Sequence, residues 1–406
     1  SINPKEAESG KPIVWKLALW GDYRDKKAIN RFEKLFKSRL IEFDDDRKGR
    51  RLCRGLELTD NSKPEEVEYL PDIKGEQLFE AEEIKGYRFF VPKQALSQIS
   101  SKNAYVSKQG GKKGLNLKYA PHLIINPKYC IFSNMDFVVP KSQIGISTGE
   151  QEADLLRALS VFLSSTIIHY FWFFYSSSWG IARRVNTPKD IKNIPIPNFT
   201  ETQVEKLAEF QEYLARTEER GIKTSVELQA ELDKKIEEVL QLPKSLSILA
   251  NDFINIKLTL HSKNKVDVLA AKTPSKDELR SYGEYLRGEL DDFIGDNKTR
   301  HKISFKCTKY LILCIVEIVS STTHIDVSIS SINENTEFKE ILEKLTQRFS
   351  QNVYVQRNLY IVESSTIYMV KSAQLINWTK SQALKDSDDI IAEVLTNNVN
   401  SSEVAS

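Results

Sequence analysis

Cysteine is scarce in this sequence and never paired: Cys53, Cys130, Cys307 and Cys314 are scattered, with no C-x-x-C among them. That argues against a disulfide framework or a thiolate zinc site and is neutral to a reducing cytoplasm, the compartment expected for this chain. The five histidines, His122, His169, His261, His301 and His324, show no metal-ligand spacing. There is no G-x-S-x-G, no H-E-x-x-H, no glycine-rich dinucleotide fingerprint after a strand and no acid cluster followed by E-x-K. No catalytic residue, metal ligand or cofactor is therefore assigned to these residues.

Long apolar runs are missing too. The most apolar stretch, residues 155–175, is interrupted by Arg157, several Ser and Thr, and His169. It reads as a buried helix rather than a membrane span, and the start shows no signal peptide. The chain begins Ser1-Ile2-Asn3-Pro4 without Met and reaches an aromatic segment at once. It reads as a fragment of a larger protein, with a processed start as the alternative.

The most informative absence is of carboxylates. Residues 84–135 contain no Asp or Glu, although 56 acids in 406 residues would place about seven there. The same window holds nine Lys and Arg, including Lys102, Lys108, Lys112, Lys113 and Lys118, with Tyr105, Tyr119 and Tyr129 among them. Basic groups neutralise phosphates and release counterions, and tyrosine can touch sugar or base edges. A nearby carboxylate would undo a phosphate contact, so the lack of acids counts as much as the lysines. The alternative is a solvated basic surface with no partner. A second acid-free run covers residues 155–189. After its apolar helix comes a loop with Trp179, Arg183, Arg184 and Asn186, side chains that suit phosphate clamping and bidentate reading of guanine. The alternative there is Trp179 capping the helix, with the arginines in solvent.

The charge of the whole chain follows the same division. Residues 1–200 carry 32 Lys and Arg against 24 Asp and Glu, a net of +8, while the remainder nets −6. At 40% hydrophobic and 28% charged the chain is ordinary globular material. A polyanion site is expected on the basic side alone.

Periodicity predicts a strand at 13–17 and a helix at 24–40, then a solvated charged loop at 44–51 and a connector at 61–72. Short strands are expected at 87–91, 104–106, 122–125, 129–132 and 137–139, followed by one long helix at 150–175 and extended backbone at 194–197. Two helices around Gly221 fill 201–240. Further on, helices are expected at 277–294, 338–349 and 381–395. Strands are expected at 302–305, 311–319 and 325–329, with a hairpin of 353–362 and 366–371 and a frayed tail from Asn397. Ser107–Gly114 is only loosely like a phosphate-binding loop, because Lys113 is followed by Gly114 instead of Ser or Thr. It reads as a basic hairpin tip. Asn126-Pro127-Lys128-Tyr129 reads as a β-turn.

Three segments carry a family resemblance. Trp15-Lys-Leu-Ala-Leu-Trp20-Gly-Asp-Tyr-Arg-Asp25 resembles the W-G-x-x-R-D segment that follows the catalytic domain in many large restriction–modification enzymes. Residues 155–197, with the Arg pair and the closing Ile194-Pro-Ile-Pro197, look like the TaqI-like C-terminal specificity domain of adenine-N6 DNA methyltransferases. Residues 378–393 resemble a tail found in some of those long enzymes. The resemblance implies an α+β chain in four parts. Residues 1–75 would be a connector after a missing catalytic domain, and 76–200 a mixed β/α target-recognition domain. Residues 201–262 would be a helical hairpin or spacer, and 277–396 a small C-terminal α/β domain.

The implied partners are double-stranded DNA and an upstream methyltransferase domain or subunit, which would hold the S-adenosylmethionine. Neither its cofactor loop nor its Asn-Pro-Pro-Tyr loop is present here, so recognition carries over and methyl transfer does not. The main alternative is a stand-alone DNA-binding or scaffold subunit of an anti-phage defence complex. A nuclease would require Asp291, Asp292 and Glu317 to converge.

Overall fold

The computed structural model describes residues 4–80, 88–108, 112–125, 130–177, 187–261, 268–295, 298–323, 326–331, 359–363 and 365–403. The chain divides into two units, Ser1–Ala250 and Asn251–Ser406, and both mix helices with strands, an α+β architecture. Among the described residues no single helix is long and apolar enough to cross a membrane. The first three regions read from the sequence share the first unit up to Ala250.

The first unit opens with α1 (Pro4–Glu8), α2 (Pro12–Trp20) and α3 (Tyr23–Leu35). The strand expected at 13–17 is helix instead. Pro12 stands in the first turn, where its missing N–H costs nothing. Lys16 and Trp20, one turn apart, then reach the same neighbour: Lys16 Nζ donates to Phe173 O at 2.5 Å and the Trp20 ring meets the Phe173 ring at 6.1 Å. Tertiary packing overrides the alternation that Ile13-Val14-Trp15 suggests. Gly21 stops α2 where a Cβ would press to 2.8 Å from Leu17, and Asp22 with Asp25 forms a reciprocal capping box that starts α3.

The helix expected over 150–175 is two helices, α4 (Ala153–Leu163) and α5 (Thr166–Tyr175), bent by 68°. Ser164 and Ser165 make the break. Ser165 Oγ donates back to Phe162 O and so competes with the helix ladder, while Ser164 Oγ accepts from Cys130 N of the neighbouring strand. A third helix satisfies the freed backbone. Beyond α6 (Pro188–Lys192) lie α7 (Glu201–Glu219) and α8 (Ser225–Leu240), each started by a threonine capping box and joined at Gly221, φ +61°. From α8, Asp233 accepts from Thr166 N at 2.8 Å and Thr166 Oγ1 at 2.6 Å, and Gln229 donates to Ser164 O at 3.1 Å. α5 is therefore capped from outside its own sequence.

The strands of this unit are short. They are β1 (Ser38–Arg39), β2 (Arg51–Arg54), β3 (Leu58–Thr59), β4 (Val67–Tyr69), β5 (Gln77–Phe79), β6 (Leu96–Gln98), β7 (Tyr105–Ser107), β8 (His122–Ile125), β9 (Cys130–Ser133), β10 (Ile144–Ser147) and β11 (Pro195–Ile196). β2-β10-β8-β9 form an antiparallel sheet whose inner strands are buried on both faces, and β3-β7-β4 form a second, smaller sheet. Residues 88–91 are not a strand as expected. The Arg88 and Phe89 amides go to the Glu218 carboxylate and Phe89 O accepts from Gln211, which leaves no ladder to join. The expected strand at 137–139 makes only isolated bridges, such as Leu78 with Val138.

In the second unit a five-stranded sheet has the order β14-β12-β13-β16-β15. Its strands are β12 (Thr299–Cys307), β13 (Leu311–Ser320), β14 (Ser328–Ser331), β15 (Leu359–Glu363) and β16 (Thr366–Ser372). After α9 (Lys244–Asn255), the helix α10 (Lys276–Ile294) packs with the closing helix Lys380–Glu403 on the face carrying Ile303, Phe305, Cys314 and Met369. That last helix continues past Leu395 to Glu403, where a frayed tail was expected. The expected helix at 338–349 lies outside the described residues. Within the core, Lys371 and Asp386 form a fully buried ion pair, and Tyr282 donates to the same carboxylate at 2.6 Å. Burial pulls the Lys371 ammonium down despite its partner.

Two measurements check these assignments. Asp386→Ala should destabilise the protein by about 3–5 kcal/mol in urea denaturation, because it strands the Lys371 charge in the core. The double change Lys371→Met with Asp386→Leu should cost far less; equal losses would reduce the pair to ordinary packing. At the α4–α5 break, burial holds the Asp233 carboxyl up to about 6, against the bonds from Thr166 and Gln229. A carboxyl raised by folding contributes stability that is complete below about pH 4 and is lost as pH rises through about 6. Asp233→Asn should flatten that part of the melting-temperature profile, and an unchanged slope would assign it to other groups.

Candidate nucleic-acid interface

The acid-free run does not stay free of acids once the chain is folded. β7 pairs with β3 and β4 from the acid-rich segment before it. Lys112 meets Glu68 at 2.7 Å, Lys118 meets Glu76 at 2.8 Å, and Lys108 Nζ donates to Glu65 O at 2.8 Å. Tyr105 is half-buried with its ring against Tyr69, 5.1 Å between centroids. Of the lysines singled out from the sequence, Lys102, Lys108 and Lys113 are exposed with no ion pair among the described residues, Lys108 being held only by a backbone carbonyl. The paired lysines are already partly neutralised, so a phosphate gains less from them.

Lys113 lies elsewhere. Its residue opens a 3-10 turn, Lys113–Lys118, that packs on β2, the edge strand of the four-stranded sheet. Gly114 allows the approach: a Cβ there would fall 2.6 Å from Gly55 C and 2.7 Å from Leu56 N. The glycine that breaks the phosphate-loop pattern is thus a packing residue. Lys113 O accepts from the Cys53 thiol at 3.4 Å. Burial pushes that thiol up to about 11 with help from Asp44, while Arg51, Lys192 and Lys113 pull the other way. Three cations therefore stand within electrostatic reach of one half-buried side chain at the sheet edge.

Lys192 closes α6, three residues past the second acid-free run. Trp179, Arg183, Arg184 and Asn186 lie outside the described residues, as do Gln109–Gly111 and the expected turn at Asn126–Tyr129. The described flanks of the first of these are held together: Asp190 Oδ2 accepts from Ser176 Oγ and from Thr187 N, both at 3.0 Å. Lys113, from the middle of the first acid-free run, and Lys192, just past the second, thus both come near Cys53. Sequence reasoning missed Arg51 and Lys192. Arg51 belongs to the charged loop read as solvated, and Lys192 falls just past an acid that seemed to close the run. That loop is in fact tied down. Arg50 makes a bidentate pair with Glu152 at 2.6 and 2.8 Å over the Phe43 ring, which raises its guanidinium further, and Arg51 pairs with the exposed Asp46.

The carboxylates a nuclease would need do not converge. Asp291 is bonded to His301 at 2.8 Å, while Glu317 faces Lys302 across the strands at 3.1 Å. His301 and Lys302 are neighbours in β12, so their side chains, and the acids with them, occupy opposite faces of the sheet. No group of three or more His, Cys, Asp or Glu among the described residues could hold a metal.

Neither a family model nor a curated protein sequence matches this chain.

The close approach at Gly114 is testable by itself. Gly114→Val should cost about 1–3 kcal/mol in thermal unfolding, since backbone atoms of Gly55 and Leu56 would have to yield. Unchanged stability would show that the turn can lift from β2.

Proposed function

We propose that this chain is the DNA target-recognition and C-terminal portion of a site-specific adenine-N6 methyltransferase of the restriction–modification type. In this reading the first unit grips duplex DNA, and methyl transfer belongs to a separate domain that binds S-adenosylmethionine. The observation that carries the DNA-binding part is the gathering of Lys113, Arg51 and Lys192 around Cys53 at the β2 edge. Lys113 is exposed with no ion pair among the described residues, and the Asp46 that Arg51 pairs with is itself exposed, so these cations can exchange their counterions for phosphates. The methyltransferase part rests on the sequence resemblance alone. Arg183, Arg184 and Asn186 are proposed to read base edges and Trp179 to support them. Lys102 and Tyr105 would extend the backbone contacts.

Gel-shift titration of the full chain across a range of salt tests the reading. Lys113→Ala and Lys192→Ala should weaken binding to every sequence and reduce the salt slope by about 0.9 per lost contact. Lys118→Ala, whose ammonium is engaged with Glu76, should change it less. Salt-independent binding, or a larger loss at Lys118, contradicts the proposal.

A further inference from the structure

The helix α3 shows a face that nothing in the first unit neutralises. Its inner side is fixed: Ala28, Ile29 and Phe32 are buried, the Phe32 and Phe171 rings lie 4.9 Å apart, and Asp25 accepts from the Tyr170 hydroxyl. That packing decides which side chains meet solvent. From Lys26 to Lys34 the exposed residues are Lys26, Lys27, Asn30, Arg31 and Lys34, four cations and an amide. The acids of the helix are engaged elsewhere. Asp25 is buried in its capping box, and Glu33 accepts from Tyr175 and faces Arg39 at 3.5 Å. Lys26 meets Glu6 at 3.5 Å, but Lys27, Arg31 and Lys34 make no ion pair among the described residues.

Such a face is unfavourable for a helix that meets only water. Lys27 and Arg31 stand at i,i+4 and Arg31 and Lys34 at i,i+3, where like charges repel. The solvated faces of α7 and α8 are built the other way, with Arg216 beside Glu212 and Lys234 beside Glu238, both at i,i+4. An external polyanion would supply to α3 the charge that its own sequence leaves out.

A nucleic-acid backbone fits this face in charge and length. Lys27 to Lys34 spans about 10 Å of helix, a length over which one DNA strand presents about three phosphates. Three unpaired cations match that density, and Asn30 between them can donate to a phosphate or sugar oxygen. A lipid surface would demand apolar side chains among the cations, and on this stretch those are buried. Leu19 and Tyr23 are exposed just before it, so lipid is the competing partner to test. Beyond α3 the chain runs on to the β2 edge: the 3-10 turn Leu40–Phe43 packs against both α6 and β2, which carry Lys192 and Arg51.

We propose that the exposed face of α3 binds the sugar–phosphate backbone of duplex DNA, independently of sequence, through Lys27, Arg31 and Lys34. The proposal rests on the DNA-binding part of the preceding reading and adds to it a surface built from different residues.

Fluorescence anisotropy of the full chain with random-sequence duplexes over a range of salt tests it. The triple change Lys27→Ala, Arg31→Ala and Lys34→Ala should make the logarithmic salt slope shallower by about 2.7, about 0.9 for each contact. The melting temperature should hold or rise, since alanine removes the repulsion and favours the helix, which separates lost contacts from lost structure. Lys27→Arg with Lys34→Arg should leave the slope as it is. An unchanged slope in the triple variant, with Lys113→Ala still reducing it, overturns this proposal and leaves the β2 edge standing. A reduced slope in the triple variant, with Lys113→Ala and Lys192→Ala without effect, does the reverse. Binding to phosphatidylserine vesicles that the triple change abolishes, with duplex binding untouched, assigns the face to lipid and overturns the proposal. Absence of duplex binding by the unaltered chain overturns both readings.

Discussion

A helix with no charged residue, buried on nearly every side, organises the first unit. α5 exposes almost nothing of Thr166–Phe174, so its polar groups must be satisfied by neighbours that come to it. Asp233 and Gln229 supply its N-terminal cap from α8. Asp25 accepts from the Tyr170 hydroxyl at 2.5 Å, and Lys16 donates to the Phe173 carbonyl. Each of these partners lies at least 63 positions away in sequence, as Gln229 does from Thr166. The helix thus fixes the positions of α2, α3 and α8 together.

The segment Trp20-Gly21-Asp22-Tyr23-Arg24-Asp25 acquires a physical meaning from that constraint. Gly21 ends one helix, Asp22 begins the next, and Asp25 both completes the capping box and receives Tyr170. Burial of that hydrogen bond drives the tyrosine hydroxyl well above its ordinary value, which keeps it a donor at any physiological pH. Lys16 pays a different cost for its burial, with its ammonium lowered to about 8 and Asp190 opposing the shift. Asp190 in turn joins Ser176 to Thr187, so the same helix end that needs Lys16 also sets where α6 and Lys192 lie.

The sheet edges therefore differ in chemistry because different parts of the chain are brought to them. At β2 the incoming groups are Lys113 and Lys192, opposed by Asp44, which accepts from Leu52 N. At β9 they are Arg157 and Glu212, charges in balance over aromatic rings. In the second unit the sheet instead separates Asp291 and Glu317, and its only fully buried charges among the described residues, Lys371 and Asp386, neutralise each other.

What the sequence determined by itself was local. The i,i+4 patterns and threonine caps of α7 and α8, the turn at Gly221, the short strands β8 and β9 and the hairpin β15–β16 all depend on neighbours within a few residues. The acid-free windows are likewise facts of sequence. Folding decided what they mean. Glu68 and Glu76 reach Lys112 and Lys118 from outside the window, while Arg51 and Lys192, outside it too, join Lys113. The strand forecast for Ile13–Leu17 became helix because Lys16 and Trp20 both face Phe173, and the helix over 150–175 broke because Asp233 could cap its second half. Electrostatic partners act through space over a few ångströms, and their separation along the chain says nothing of that distance.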